Sequence, residues 1–184
     1  ISGIIEDGST LQIGMGRVTN AALKYLTDRK DLGIHSDVIT DAIIPLLEKG
    51  ILTGRRKTSQ RDQIVTSFAL GSRRLYDLID RNPLFSFQPI DVVCHPATQG
   101  EFLRGASRST GGKAIICLAS TADGGASSRV KVALDAGESV TVARVDVHYV
   151  ITEYGIAYLF GKSIRERAIA LLAGIGACLA LPGL

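Results

Sequence analysis

The chain of 184 residues is 46% hydrophobic and 21% charged, and its 21 basic and 18 acidic side chains leave a net charge of +3. A chain of this length buries about two thirds of its unfolded surface, which predicts one globular domain needing no disulfide or metal scaffold; the apolar content excludes disorder. A small basic excess with 5% aromatic content gives little support to a nucleic-acid surface, where stacking rings interleave with a basic face. Small molecules are the expected partners.

In chain order, Ile1 to Gly8 lacks the basic start and apolar run of a signal peptide, and the absence of an initial Met reads as the middle of something longer. Thr10 to Gly14 is strand-like, and Val18 to Arg29 carries apolar residues at helical spacing (Val18, Ala22, Leu26). Between them Gln12-Ile13-Gly14-Met15-Gly16-Arg17-Val18 runs from strand through a Gly-rich turn into a helix. Such a turn lets backbone N–H groups approach an anion closely, or is simply a tight connection, since the third glycine of the dinucleotide fingerprint is absent.

Ile34 follows Gly33 as a short strand ending in His35-Ser36-Asp37, and Thr40 or Asp41 caps a helix through Leu47 that stops at Gly50. A carboxylate there suits a nucleophile or general base, while the plainer reading has Asp37 and Asp41 capping the helix and His35 in a structural role. The basic stretch Gly54 to Asp62 (Arg55, Arg56, Lys57, Arg61) is either a phosphate contact or a solvated loop. Gln63 to Leu70 is predicted as a strand, Ser72 to Asp80 as a helix, Ile90 to Cys94 as a strand and Ala97 to Gly112 as a loop. Lys113 to Ser120, Ser139 to Arg144 and His148 to Thr152 follow as strands before a terminal helix.

This β-α rhythm predicts an α/β fold with an open, largely parallel sheet and helices on both faces, binding ligands at the carboxyl ends of strands. Asp146 and His148, two apart, share a face if extended and form a hydrogen-bonded pair or a structural network; no nucleophile elbow accompanies them. Cys94, Cys117 and Cys178 read as small buried hydrophobes of a reducing compartment rather than metal ligands. Ala168 to Leu184 is uncharged, but Gly174, Gly176, Pro182 and Gly183 argue against a membrane span.

Several blocks occur together in order: Asp7 to Gly16, Asp31 to Ser36, Ser67 to Ser72, Phe102 to Ala106, Asp146 to Gly155 and Gly161 to Ala168. This combination resembles the C-terminal half of the acetyl-CoA hydrolase/transferase family, which includes 4-hydroxybutyrate and butyryl CoA-transferases. The resemblance covers residues 1–172 and leaves 173–184 as an unassigned tail.

It implies an α/β/α CoA-transferase-type domain acting on acyl-CoA and a small carboxylate, with coenzyme A as substrate and no metal. A cytoplasmic homo-oligomer that also carries an N-terminal half is expected. In the family a carboxylate attacks the thioester to give an acyl anhydride, and returning CoA forms an enzyme thioester. The matching position here is Asp37. Gly14, Met15, Gly16, Arg17 and Val18 match a CoA-binding loop, with Gln12, His35 and Gln99 in supporting places.

The chain departs from the family pattern at four points. The nucleophile position carries Asp37 instead of glutamate, one methylene shorter, which suggests thioester hydrolysis favoured over CoA transfer. Several dozen residues are missing between 97 and 98, Glu101 stands where an aspartate is usual, and the tail after Leu172 differs. Two readings of another class stay open: a non-catalytic CoA-binding or regulatory module that kept the fold, and a generic nucleotide-binding domain resting on the Gly-rich turn.

Overall fold

The computed structural model describes residues 2–93, 101–131, 133–140 and 142–175. These group into two compact units, Ile1–Ala97 and Thr98–Leu184. The division falls at the 97/98 junction, where the family resemblance is interrupted.

In the first unit, β1 (Thr10–Leu11), β2 (Gly33–His35), β4 (Ile64–Thr66) and β6 (Phe85–Phe87) form one sheet in that order. All three pairings are parallel, Ile34 lying opposite both Leu11 and Ile64. Two further strands, β3 (Val38–Thr40) and β5 (Phe68–Leu70), pair in parallel as a separate ribbon. The connections are helical: α1 (Arg17–Leu23), a 3₁₀ turn (Asp41–Ile43) leading into α2 (Ile44–Glu48), α3 (Arg73–Arg81) and α4 (Ile90–Val93). Parallel strands need such crossovers, as the β-α rhythm predicts.

Leu26, Leu32, Ile34, Ile39, Ile43 and Leu75 are fully buried in one core. Each contributes about 1.5–3 kcal/mol relative to exposure, enough together to fix the strand order. Thr40 caps the 3₁₀ turn by accepting from the Ala42 N–H at 3.4 Å. Asp41 instead accepts from the Ser72 N–H at 2.9 and 3.0 Å and from its hydroxyl at 2.9 Å, joining that turn to the start of α3.

In the second unit, β7 (Ile115–Cys117) lies parallel to β10 (Tyr149–Ile151), which pairs antiparallel with β11 (Ile156–Tyr158). A small hairpin joins β8 (Thr121–Ala122) and β9 (Ser127–Ser128). The helices are α5 (Glu101–Arg108) and α6 (Ile164–Ile175). Val147, Ala157 and Leu159 form the centre of its core, with Ala170 and Leu171 of α6 packed against them. Arg167 ties α6 down, donating to the carbonyls of Leu159 at 2.8 Å and Arg144 at 2.7 Å.

The α/β architecture and the parallel pairing agree with the sequence reading, and several elements differ. Residues 90–93 are helical because Pro89 presets φ and its carbonyl accepts from Val92 and Val93 at 3.0 and 3.1 Å, overriding the β-branched character of the run. The strand of that region is β6, just upstream. Within Ala97 to Gly112, the part read as loop contains α5. In Ser139 to Arg144 the described residues, which leave out 141, form no strand: Val140 is 69% exposed, and Arg144–Asp146 is a 3₁₀ turn. The first helix is shorter than Val18 to Arg29, ending at Leu23. Cys94, Gln99, Cys178 and residues 176–184 lie outside the described residues; Cys117 is free and half-buried, and burial pushes its thiol up.

Candidate functional site

The run Gln63 to Leu70, read as one strand, is two. Chain direction breaks at Ser67 between β4 and β5, and at the same level β2 gives way to β3 across Ser36 and Asp37. Ser36 N–H still follows the ladder, donating to the Val65 carbonyl at 3.0 Å. One residue on, the Asp37 carbonyl becomes a hub. It accepts from the Ser67 N–H at 3.0 Å, the Phe68 N–H at 3.1 Å and the Thr66 hydroxyl at 3.2 Å. Asp37 therefore stands at the carboxyl end of β2, its main chain pinned from the neighbouring strand.

The Gly-rich turn is fastened to the same point by one hydroxyl. Ser36 Oγ, fully buried, accepts from the Ile13 N–H at 3.1 Å and donates to the Ile13 carbonyl at 3.0 Å. This double bond to a single residue sets residues 12–16 beside Asp37. Ser36 Oγ also lies 3.3 Å from Asp37 Oδ1, and Gln12 Nε2 donates to that oxygen at 3.4 Å. Oδ2 takes no hydrogen bond from the described residues, so it is the oxygen placed to attack a carbonyl or to accept a proton.

Past Ile13 the turn opens to solvent. Gly14, Met15, Gly16, Arg17 and Val18 are all exposed, and Gly16 caps α1 with φ +151°, a conformation that disfavours any side chain. Exposed backbone next to a carboxylate is the geometry that can meet the oxygen of a thioester or the groups of CoA. The described residues bring Asp37, Gln12 and the turn together; Gln99 lies outside them.

Behind β2 sits a buried cation. Lys57 is 2% exposed, its stem crossing Gly33, where a Cβ would come within 2.5 Å of Lys57 Cγ. Its Nζ donates to the carbonyls of Gln63 at 2.8 Å and Ile34 at 3.1 Å, clamping the loop to the strand that carries Asp37. Burial pushes the ammonium down to about 8. Burial of His35, reinforced by the Lys57 charge, lowers the imidazole from its ordinary value. The basic loop is thus partly structural, since its central lysine faces inward.

The helix-capping alternative for Asp37 is not what the structure contains, because Thr40 holds that position. Three residues at the site escaped the sequence reading as site residues. Ser36, Thr66 and Ser67 all lie at the strand break, and the Ser67 hydroxyl is buried without a hydrogen-bond partner among the described residues. The signal was available in Thr66-Ser67, two polar residues interrupting an apolar run. In the second unit, of the two alternatives for Asp146 and His148, a hydrogen-bonded pair or a structural network, Asp146 follows the second: it lies in a 3₁₀ turn with its carboxylate 3.2 Å from the Ser107 hydroxyl. Among the described residues no group of three or more His, Cys, Asp or Glu could hold a metal ion, and no helix is long and apolar enough to cross a membrane.

The fold is an α/β domain of the type found in solved CoA-transferases. Residues 96–177 match the acetyl-CoA hydrolase/transferase C-terminal domain. Over 208 aligned positions the chain is 36% identical to the 4-hydroxybutyrate coenzyme A transferase of Clostridium kluyveri, covering 93% of this chain and 48% of that protein. It is 36% identical to the succinyl-CoA:cyclohexane-1-carboxylate CoA transferase of Geobacter metallireducens, with 94% of this chain and 48% of the relative covered. Among solved structures, the 4-hydroxybutyrate CoA-transferase of Porphyromonas gingivalis superposes with a TM-score of 0.83 at 37% identity, over 94% of this chain and 49% of the other. RipA of Yersinia pestis gives 0.84 at 32% identity, over 98% and 47%.

The chain belongs to the acetyl-CoA hydrolase/transferase family. It spans about half the length of the relatives it matches. An alignment of 208 positions exceeds the 184 residues available, so the relative carries residues in this region that the chain lacks.

Proposed function

We propose that the protein handles acyl-CoA thioesters through the Asp37 carboxylate, with Gly14, Met15, Gly16, Arg17 and Val18 cradling CoA and Gln12 steadying the carboxylate. The observation that carries this reading is the position of Asp37 at a strand's carboxyl end, one oxygen accepting from Gln12 and the other without a hydrogen bond from the described residues, beside the turn. Kinship to enzymes named as CoA-transferases supports CoA as substrate and a small carboxylate as acceptor.

The shorter side chain favours hydrolysis over transfer. Asp37 stops one C–C bond short of glutamate, and a misplacement of about 1 Å can cost about a hundredfold in rate. In the space left, Asp37 accepts a proton from water as that water attacks the thioester carbonyl; collapse of the tetrahedral adduct expels CoA thiolate, which takes up the proton. His35, Gln99, the residues absent between 97 and 98, an N-terminal half, a homo-oligomeric assembly and a cytoplasmic location belong to the same proposal.

Turnover of acetyl-CoA in ¹⁸O-water, followed by intact-protein and peptide mass spectrometry, tests it. General-base hydrolysis puts label into acetate alone. Covalent catalysis passes through an aspartyl-CoA thioester, which borohydride traps and whose cleavage by water puts label into Asp37; that outcome refutes the general-base route. Absence of turnover in a protein of intact mass 19.5 kDa refutes both, and supports the non-catalytic CoA-binding module.

A further inference from the structure

The run that carries Asp37 grips the Gly-rich turn at both of its ends. One residue before Asp37, the Ser36 hydroxyl fastens Ile13 at the entry to the turn. Three residues after it, at the end of β3, the Thr40 hydroxyl donates to Asn20 Oδ1 at 3.1 Å. Asn20 lies on α1, and its main-chain N–H donates to the Gly16 carbonyl at 3.0 Å, the bond that opens the helix. Two hydrogen bonds thus lead from Thr40 through Asn20 to Gly16. Residues 14–16 hang between two struts planted on either side of Asp37.

The stretch between the struts has little packing of its own. A Cβ added at Gly14 or Gly16 would meet nothing within 4 Å, Gly16 offers α1 no side-chain cap, and residues 14–18 are exposed. The helix enters the core only further along, through Leu23. At 7 residues it is too short to order its first turn by propensity alone. Thr40, by contrast, is firmly seated: β3 is paired with β5, and the same hydroxyl accepts from the Ala42 N–H at 3.4 Å. Its proton is therefore committed to Asn20, and the strut transmits the position of the strand to the start of α1.

We propose that Asn20 is a positioning residue of the acyl-CoA site: by tying Gly16 to the strand that carries Asp37, it keeps the turn in the arrangement that receives the thioester. This rests on the function proposed above, in which the turn cradles CoA. Asn20 acts through Gly16 and not by touching substrate. A turn released at one end spends part of its time away from the competent arrangement, and apparent affinity falls in proportion to the competent fraction. Bound acyl-CoA holds the turn in place, so the loss falls on KM and spares kcat.

Two substitutions delete the strut from opposite ends. Asn20→Leu keeps the side-chain size and improves helix propensity but removes the acceptor, and Thr40→Val removes the donor and leaves α1 untouched. Each is expected to raise KM for acetyl-CoA about threefold to tenfold, the worth of one net hydrogen bond, with kcat within about twofold of wild type. Asn20→Asp keeps an oxygen acceptor and is expected to restore KM. The double variant is expected to be no worse than the poorer single one, since both delete the same bond. If one variant does not fold, the other carries the test; if the protein binds CoA without turnover, the dissociation constant of CoA replaces KM. Hydrogen exchange at the amide of residue 20, measured without ligand, reads the strut itself, and its protection is expected to fall in both variants and return in Asn20→Asp. Unchanged protection overturns the proposal and leaves the CoA-binding role of the turn standing. Lowered protection with unchanged KM overturns both. A fall in kcat as large as the rise in KM, or a rise that Asn20→Asp does not reverse, makes Asn20 merely structural and overturns the proposal.

Discussion

Replacing Lys57 by Met keeps an unbranched stem across Gly33 and removes the amine. Two opposed effects follow. The carbonyls of Ile34 and Gln63 each lose a donor now at 3.1 and 2.8 Å, a loss of about 1 kcal/mol each. The native state is also relieved of a buried cation, whose strain shows as an ammonium pushed from 10.5 down to about 8.

The sign follows from proton binding. Between the folded value of about 8 and the unfolded value of 10.5, the unfolded chain holds the proton and the native chain has shed it, so wild-type stability rises with pH across that window. From pH 7 to 9.5 the gain is at most about 2 kcal/mol, and about 1 kcal/mol after allowance for solvent screening. Near pH 7 the lost bonds and the relieved burial oppose each other and the substitution is close to neutral; by pH 9.5 it becomes destabilising by about 1–2 kcal/mol. Urea unfolding of both proteins at the two pH values measures this directly. A stability difference that stays constant or shrinks as pH rises would falsify the account of Lys57 as a strained buried cation. In the same variant the His35 imidazole, freed of a neighbouring charge, is expected to titrate at higher pH by NMR.

Ser36→Ala deletes the hydroxyl that satisfies both the N–H and the carbonyl of Ile13, at a cost of about 1–3 kcal/mol; with the turn loosened, KM for acyl-CoA is expected to rise more than kcat falls. Asp37→Asn is expected to remove turnover while leaving the melting temperature within about 2 °C, since its main-chain bonds survive. Asp37→Glu is expected to raise CoA transfer to acetate relative to hydrolysis, read by isotope exchange between labelled acetate and acetyl-CoA. Gly33→Ala forces a methyl group onto the Lys57 stem and is expected to destabilise by about 1–3 kcal/mol in a denaturant titration.

The parts of the fold legible in the sequence are those where local chemistry and packing agree. Gly33-Ile34-His35 reads as a strand because Ile34 is wanted in a core and Gly33 ends a loop, and the structure uses both. Asp37 and the Gly-rich turn are recognisable as a pair only through a long resemblance, since 25 residues separate Gln12 from the carboxylate it touches. What stayed hidden depends on a local override in one place and on tertiary partners in the others. Ile90 to Val93 has strand composition and helical structure, because Pro89 decides locally what propensity alone decides wrongly. Val140 and Val142 alternate like a strand, yet the described residues provide no neighbour to pair with them. The inward turn of Lys57 depends on the bare backbone of Gly33, 24 positions earlier, and no local pattern announces that contact.

The hub at the Asp37 carbonyl separates two things that usually change together. Its three donors hold residue 37 by the main chain, and none of them senses what the side chain is. A sequence can therefore lengthen or shorten the side chain at this position without renegotiating the scaffold, and under the function proposed above that makes the reaction outcome adjustable one methylene at a time.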